Sequence, residues 1–277
     1  INTDLIEVTK HSISATNQNI DSAMNILPAK QGLYDPKNEH DACGVGFIAH
    51  IKGEKSHNIV QQGLTILKRV THRGAVGADP KAGDGAGLLM QIPDAFFQGE
   101  ATEFDLPAAG EYGVGMVFLP KDGRIRAELQ DIINGVIEEV RQQLIGWRKV
   151  PVDASGLGES VKPTEPAIYQ VFVARGKNAP DQDTFERKLF VIHKALTARV
   201  DAEEMDGSGD FYICSMSSRT IVYKGMLLAD PVGEYYKDLM DETVISALAL
   251  VHQRFSTNTF PTWELAHPFR MIAHNGE

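Results

Sequence analysis

Cys43-Gly44-Val45-Gly46-Phe47 places a cysteine at the head of an apolar, glycine-relieved run. The pattern stays strand-like through Ile51 and meets a turn at Lys52-Gly53-Glu54. Ahead of Cys43 the chain is polar and weakly periodic, with Ala23 to Leu27 as its only apolar knot. An ordered domain is therefore expected from Cys43 onward, and residues 1–42 form a separate segment.

The periodicity downstream sets the fold class. Ser56 is a candidate cap for a helix carrying Val60, Leu64, Leu67 and Val70 on one face. Strands are expected at Gly87 to Ile92, Tyr112 to Leu119, Trp147 to Val152 and Ala167 to Ala174, then at Val244 to Phe255 and Phe269 to His274. Asp210 to Cys214 and Arg219 to Lys224 read as a hairpin-like pair across Ser215 to Ser218. Long amphipathic helices are expected over Ile125 to Ile145 and Asp183 to Val200, and a short one over Glu234 to Met240. This mixed order, with pairs that look antiparallel, gives α+β layers and not a strict βαβ alternation.

With 277 residues, 43% apolar and 23% charged, the chain can bury a large core. A formal charge of −10 argues against a nucleic-acid partner, which needs clustered Lys and Arg. No run approaches the roughly 18 apolar residues of a membrane span, so no membrane partner is expected. Two cysteines make no disulfide framework and point to a reducing compartment. Residues 1–42 hold six acids, three lysines and no arginine, which fits neither a transit peptide nor a signal peptide. Ile1 in place of Met, and an end at Asn275-Gly276-Glu277, suggest a piece of something longer.

Three groups could carry chemistry. A thiol such as Cys43 must reach its thiolate, and an α-amine, with an ordinary pKa of about 7.7–8.0, can take that proton. Such a base requires Cys43 to be the first residue, hence cleavage after Ala42; otherwise Cys43 is a small buried strand residue. Asn275-Gly276 offers a side-chain amide beside an unobstructed backbone N–H, two donors for an oxyanion, although Asn-Gly alone marks a hairpin turn. Arg254 could match a carboxylate bidentately or stand in an ordinary ion pair. The Gly83-Asp84-Gly85-Ala86-Gly87 loop lacks a phosphate-loop ending, so its glycines read as room for close backbone approach and Asp84 as a structural, loop-fixing carboxylate. His252, His267 and His274 lack metal-ligand spacing, and Cys214 has no companion motif, so no metal is expected.

Taken in order, Cys43-Gly44-Val45-Gly46-Phe47, Thr71-His72-Arg73-Gly74, the 83–87 glycine loop, the run 217–226, His252 to Thr257 and Ala273 to Glu277 resemble the class II glutamine amidotransferase domain of glutamate synthase large subunits. That family belongs to the N-terminal-nucleophile hydrolases. The resemblance implies a four-layer αββα sandwich, here truncated at its C-terminal side, with residues 1–42 a propeptide and 43–277 the incomplete domain. It implies Cys43 as nucleophile, Asn275 and Gly276 as the oxyanion hole, and Arg254 with Thr257 as the binder of L-glutamine. Asn258 stands where other class II members carry histidine. Arg73 and Gly74 lie near the nucleophile in that family, to touch substrate or to support loops. The implied activity is a glutaminase feeding ammonia to a synthase domain that aminates 2-oxoglutarate. Partners are then the rest of the glutamate synthase polypeptide and a small reductase subunit. FMN and an iron–sulfur cluster belong to the full-length enzyme and not to this chain. The expected location is cytoplasmic, or plastid in a photosynthetic eukaryote. This chain alone should be inactive until Cys43 is freed and the missing C-terminal part is supplied. Rival readings are a precursor that only processes itself, a glutamine-binding regulatory module, and an amidotransferase of another pathway.

Overall fold

The computed structural model describes residue 32 and residues 44–71, 79–203, 205, 207–256 and 259–274. Cys43, Arg73, Gly74, Thr257, Asn275, Gly276 and all of the 1–42 segment except residue 32 lie outside the described residues.

Among the described residues, eight strands form two antiparallel four-stranded sheets. Sheet I has the order β1-β8-β2-β7, from β1 (Val45–Ala49), β8 (Leu248–Gln253), β2 (Ala86–Gln91) and β7 (Thr220–Gly225). Sheet II has the order β4-β5-β3-β6, from β4 (Gln143–Lys149), β5 (Ala167–Ala174), β3 (Tyr112–Leu119) and β6 (Tyr212–Ser217). Helix α1 (His57–Arg69) packs on β8, β1 and β2, while α3 (Gly123–Glu139) and α4 (Gln182–Glu203) pack on sheet II. The layers run α1, sheet I, sheet II, α3 with α4, the αββα order of an α+β fold.

Both faces of sheet II are covered, and its middle strand records this. All eight residues of β3 are buried. Met116 and Phe118 join the core shared by the two sheets and α1, whereas Val117 and Leu119 join the core under α3 and α4. Such a strand reads as a continuous apolar run. On the other side, α1 buries Ile59, Val60, Leu64 and Leu67. Its Gly63 lets it press close, since a Cβ there would lie 2.7 Å from the Cβ of Ala249.

Several expectations need correction. Helix α3 ends at Glu139, not Ile145, because Arg141 takes a left-handed φ of 60° and its N–H bonds to the Glu138 carbonyl at 2.8 Å. Leu144, expected on that helix, lies in β4, which begins at Gln143 and so starts before Trp147. The start of α3 is fixed by Asp122, whose carboxylate accepts from the N–H groups of Arg124 and Ile125 at 2.8 and 3.1 Å. Ser56 precedes α1 but makes no side-chain cap bond, and its backbone pairs with that of Ser246 in an isolated bridge. A further helix, α2 (Asp94–Glu100), was not legible in the sequence. The 234–240 helix divides into α5 (Val232–Tyr235) and a 3-10 turn at Lys237–Met240. β6 and β7 do not form a hairpin ladder: the turn between them carries the chain from one sheet to the other. β8 starts at Leu248 and not Val244, and residues 269–274 are no strand.

Candidate active site

β8 lies between β1 and β2, and its last residues organise the site. Val45 pairs with His252, His252 with Gly87, and Gly87 with Lys224. Directly paired residues share a face, so these four stand in one row across sheet I. Gly87 leaves a hollow in that row, since a Cβ there would lie 2.6 Å from the His267 carbonyl oxygen.

The segment from residue 261 to 274 occupies the hollow. His267 stacks on His252 with ring centroids 4.4 Å apart, and Phe269 and His274 flank it at 4.2 and 5.0 Å. His252 Nε2 lies 2.9 Å from the His274 carbonyl oxygen. A carbonyl only accepts, so Nε2 carries the proton. Lys224 Nζ donates to the Glu264 carbonyl at 2.7 Å. Trp263 lies over Gly225, where a Cβ would come within 2.3 Å of the indole, and meets Phe118 edge-on at 5.8 Å. Gly85, at φ 133°, gives Ala266 the same room. Glycines at 85, 87 and 225 thus let this segment lie directly on backbone.

Beyond β8 the chain is tied to β1 and to the glycine loop. Gln253 N–H donates to Gly44 O at 2.7 Å, and Arg254 N–H to Gly85 O at 2.8 Å. Asp84 accepts from the Ser256 N–H at 2.6 Å. The Arg254 guanidinium reaches Thr259 Oγ1 at 2.7 Å and forms no ion pair among the described residues. A half-buried guanidinium without a carboxylate suits a carboxylate ligand.

Of the residues singled out from sequence, Arg254 and Asp84 are thereby brought together. The neighbours of three others, Cys43, Asn275 and Thr257, converge on the same strand end. Gly44, next to Cys43, is bonded to Gln253. His274, next to Asn275, is bonded to His252, and Ser256, next to Thr257, to Asp84. Three side chains escaped the sequence reading. Lys224 looks like an ordinary strand lysine, yet it is fully buried. Gln253 is 1% exposed, and neither polar atom of its side-chain amide finds a hydrogen-bond partner among the described residues. Its signal was its place between His252 and Arg254. His267 had none.

Electrostatics separate these groups. Burial first, then His252, His274, Lys224 and Arg254, pushes the pKa of His267 down to about 3, so its ring is neutral. Burial also pushes the Cys214 thiol up to about 12, which leaves it inert. Among the described residues no group of three or more His, Cys, Asp or Glu could hold a metal ion. Cys214 is the one cysteine among them, so they do not fit an iron–sulfur cluster. No described helix is long and apolar enough to cross a membrane.

An αββα sandwich in which Arg254, Asp84 and the 261–274 segment gather at the end of β8 agrees with a known class. Residues 43–277 match the family model of glutamine amidotransferases class-II, and the chain belongs to that family. It is an amidotransferase domain. Over 253 residues it is 50% identical to the glutamate synthase (NADPH) large chain of Bacillus subtilis, covering 91% of this chain and 16% of that one. The Azospirillum brasilense large chain is 45% identical over 249 residues, covering 88% and 16%. The ferredoxin-dependent glutamate synthase 1, chloroplastic/mitochondrial, of Arabidopsis thaliana is 41% identical over 269 residues, covering 96% and 16%. The chain therefore spans 16% of the length of these relatives.

Proposed function

We propose that this domain is the glutaminase part of a glutamate synthase, with Cys43 as nucleophile once residues 1–42 are removed. The freed α-amine of Cys43 takes the thiol proton, and the sulfur attacks the side-chain amide carbon of L-glutamine. The Asn275 side-chain amide and the Gly276 N–H receive the oxyanion. Arg254, with Thr257 beside it, holds the substrate carboxylate; Arg73 and Gly74 border the nucleophile, and Asp84 fixes the loop under Ser256. The protonated amine then passes its proton to departing ammonia. Water cleaves the γ-glutamyl thioester to glutamate and restores the thiol.

One observation supports this reading above the others. His252 is paired with Val45, two residues after Cys43, and bonded to His274, one residue before Asn275. A single residue, through its backbone on one side and its ring on the other, thus joins the two stretches that must meet for acyl transfer.

In the same reading the ammonia passes to a synthase domain that aminates 2-oxoglutarate, in a longer polypeptide served by a small reductase subunit. FMN and an iron–sulfur cluster belong to those further parts. The location is the cytoplasm, or the plastid in a photosynthetic eukaryote, the latter in line with the chloroplastic/mitochondrial label in the Arabidopsis relative's name. The test uses the full-length polypeptide. Ammonia release from glutamine, together with labelling of Cys43 by diazo-oxo-norleucine, is expected, and both should vanish in Cys43→Ala. Absence of both ammonia release and Cys43 labelling would instead favour a glutamine-binding module.

A further inference from the structure

Lysine is almost never fully buried without a partner. Lys224 is 0% exposed on β7, and among the described residues no carboxylate comes within ion-pair distance. Its Nζ donates to the Glu264 carbonyl at 2.7 Å and to the Tyr212 hydroxyl at 3.3 Å. It also sits over the rings of Tyr212 and Phe269, 4.5 and 4.6 Å from their centroids. An apolar side chain would fill the place without the cost of burying a charge. Glu264 and Phe269 both belong to the segment that leads into Asn275, so what this cation holds is that segment.

Building on the assignment of Cys43, Asn275 and Gly276 above, we propose that Lys224 is a positioning residue of the glutaminase reaction. Its ammonium clamps residues 264–269 onto the row of Gly87 and His252, and so sets where Asn275 and Gly276 meet the developing oxyanion. The groups facing it are Tyr212 and Cys214 of β6, Glu264 and His267 of the segment, Arg254 beyond β8, and His193 of α4. The Tyr236 hydroxyl donates to its backbone carbonyl at 2.6 Å. Burial lowers the Lys224 pKa to about 8, against the pull of Cys214 and Glu264 and with a push from Arg254. The clamp is thus charged below about pH 8 and loses its charge above it.

The full-length, processed enzyme tests this. In Lys224→Met, kcat for glutamine hydrolysis should fall at least about tenfold while KM changes less than about threefold, because Arg254 is untouched. Alkylation of Cys43 by iodoacetamide, a displacement at an sp3 carbon that forms no oxyanion, should stay within about twofold of wild type. In the wild type kcat should decline above about pH 8 with no parallel fall in alkylation, and Lys224→Met should lack that decline. Unchanged kcat in the variant, joint loss of turnover and alkylation, or a wild-type kcat flat from about pH 7 to 9.5 would each overturn the proposal. Should Lys224→Met not fold, Lys224→Arg, whose charge persists above pH 8, should hold kcat where the wild-type value declines, and an identical decline in both would overturn the proposal. Cys43→Ala separates the two layers: if it still turns over glutamine, the nucleophile assignment falls and takes the clamp with it. If it is dead while Lys224→Met behaves as wild type, only the clamp falls.

Discussion

At the scale of single residues, two glycines make a controlled comparison. A Cβ on Gly87 would lie 2.6 Å from the His267 carbonyl oxygen and 2.7 Å from that of Tyr223. Both are backbone atoms and cannot rotate away. Gly87→Ala should therefore cost about 1–3 kcal/mol and lift the segment bearing Asn275, lowering kcat by an order of magnitude or more. Urea midpoints and glutamine kinetics check this, and a fully active, fully stable variant would refute it. Gly135, within α3, has nothing within 4 Å of a built Cβ. There alanine should stabilise by about 0.5–1 kcal/mol with no change in rate. Cys214 supplies a second expectation. With its thiol buried and pushed up to about 12, folded Cys43→Ala protein should consume no thiol reagent until it is denatured.

Among the elements, the strongest electrostatic tie joins β4 to the 3-10 turn at Lys237–Met240. The Arg148 guanidinium meets both carboxylate oxygens of Asp238 at 2.9 Å, with Glu100 at 2.6 Å, and Asp238 is 1% exposed at its side chain. Tyr223 adds its hydroxyl to Asp238 at 3.1 Å. Asp238→Ala would strand a buried guanidinium, so a loss of about 3–5 kcal/mol is expected in chemical denaturation. A change below about 1 kcal/mol would mean that the site relaxes with water. The limits of the sequence also lie at this scale. Strands with uniform burial and helices with one apolar face were legible, as in β3, β5 and α4. Boundaries set by one unusual torsion were not: Arg141 ends α3 without Gly or Pro to announce it. Ser246 delays β8 because its hydroxyl is spent on Gln91 N and Leu248 O at 3.0 and 2.6 Å. The turn between β6 and β7 carries no mark of the change of sheet. It is held by the carboxylate of Glu186, which accepts from Ser217, Ser218 and Arg270, groups far apart in sequence.

For the molecule as a whole, acid should weaken the fold before its surface carboxylates titrate. Burial lowers His193 to about 4 and His267 to about 3, from an ordinary value of about 6.5. Each therefore favours the folded state above pH 6.5, and that stability is lost as pH falls toward the folded values. The slope is about 1.4 kcal/mol per pH unit for each histidine. Urea midpoints should drop between about pH 7 and 5, and His193→Gln with His267→Gln should flatten the drop. Of the candidate site, Arg254 and Asp84 were legible, since a guanidinium in a strand-end motif and a carboxylate in a glycine loop stand out even when far apart in the chain. Lys224 and Gln253 did not stand out, since only burial makes them unusual. Everything chemical in this reading depends on a free amine at Cys43. The decisive comparison sets the glutamine kcat of full-length enzyme beginning at Cys43 against a form that keeps Ala42 alone ahead of it, each verified by intact mass. A fall of at least about 10²-fold in the blocked form is expected; equal turnover by both forms would contradict it.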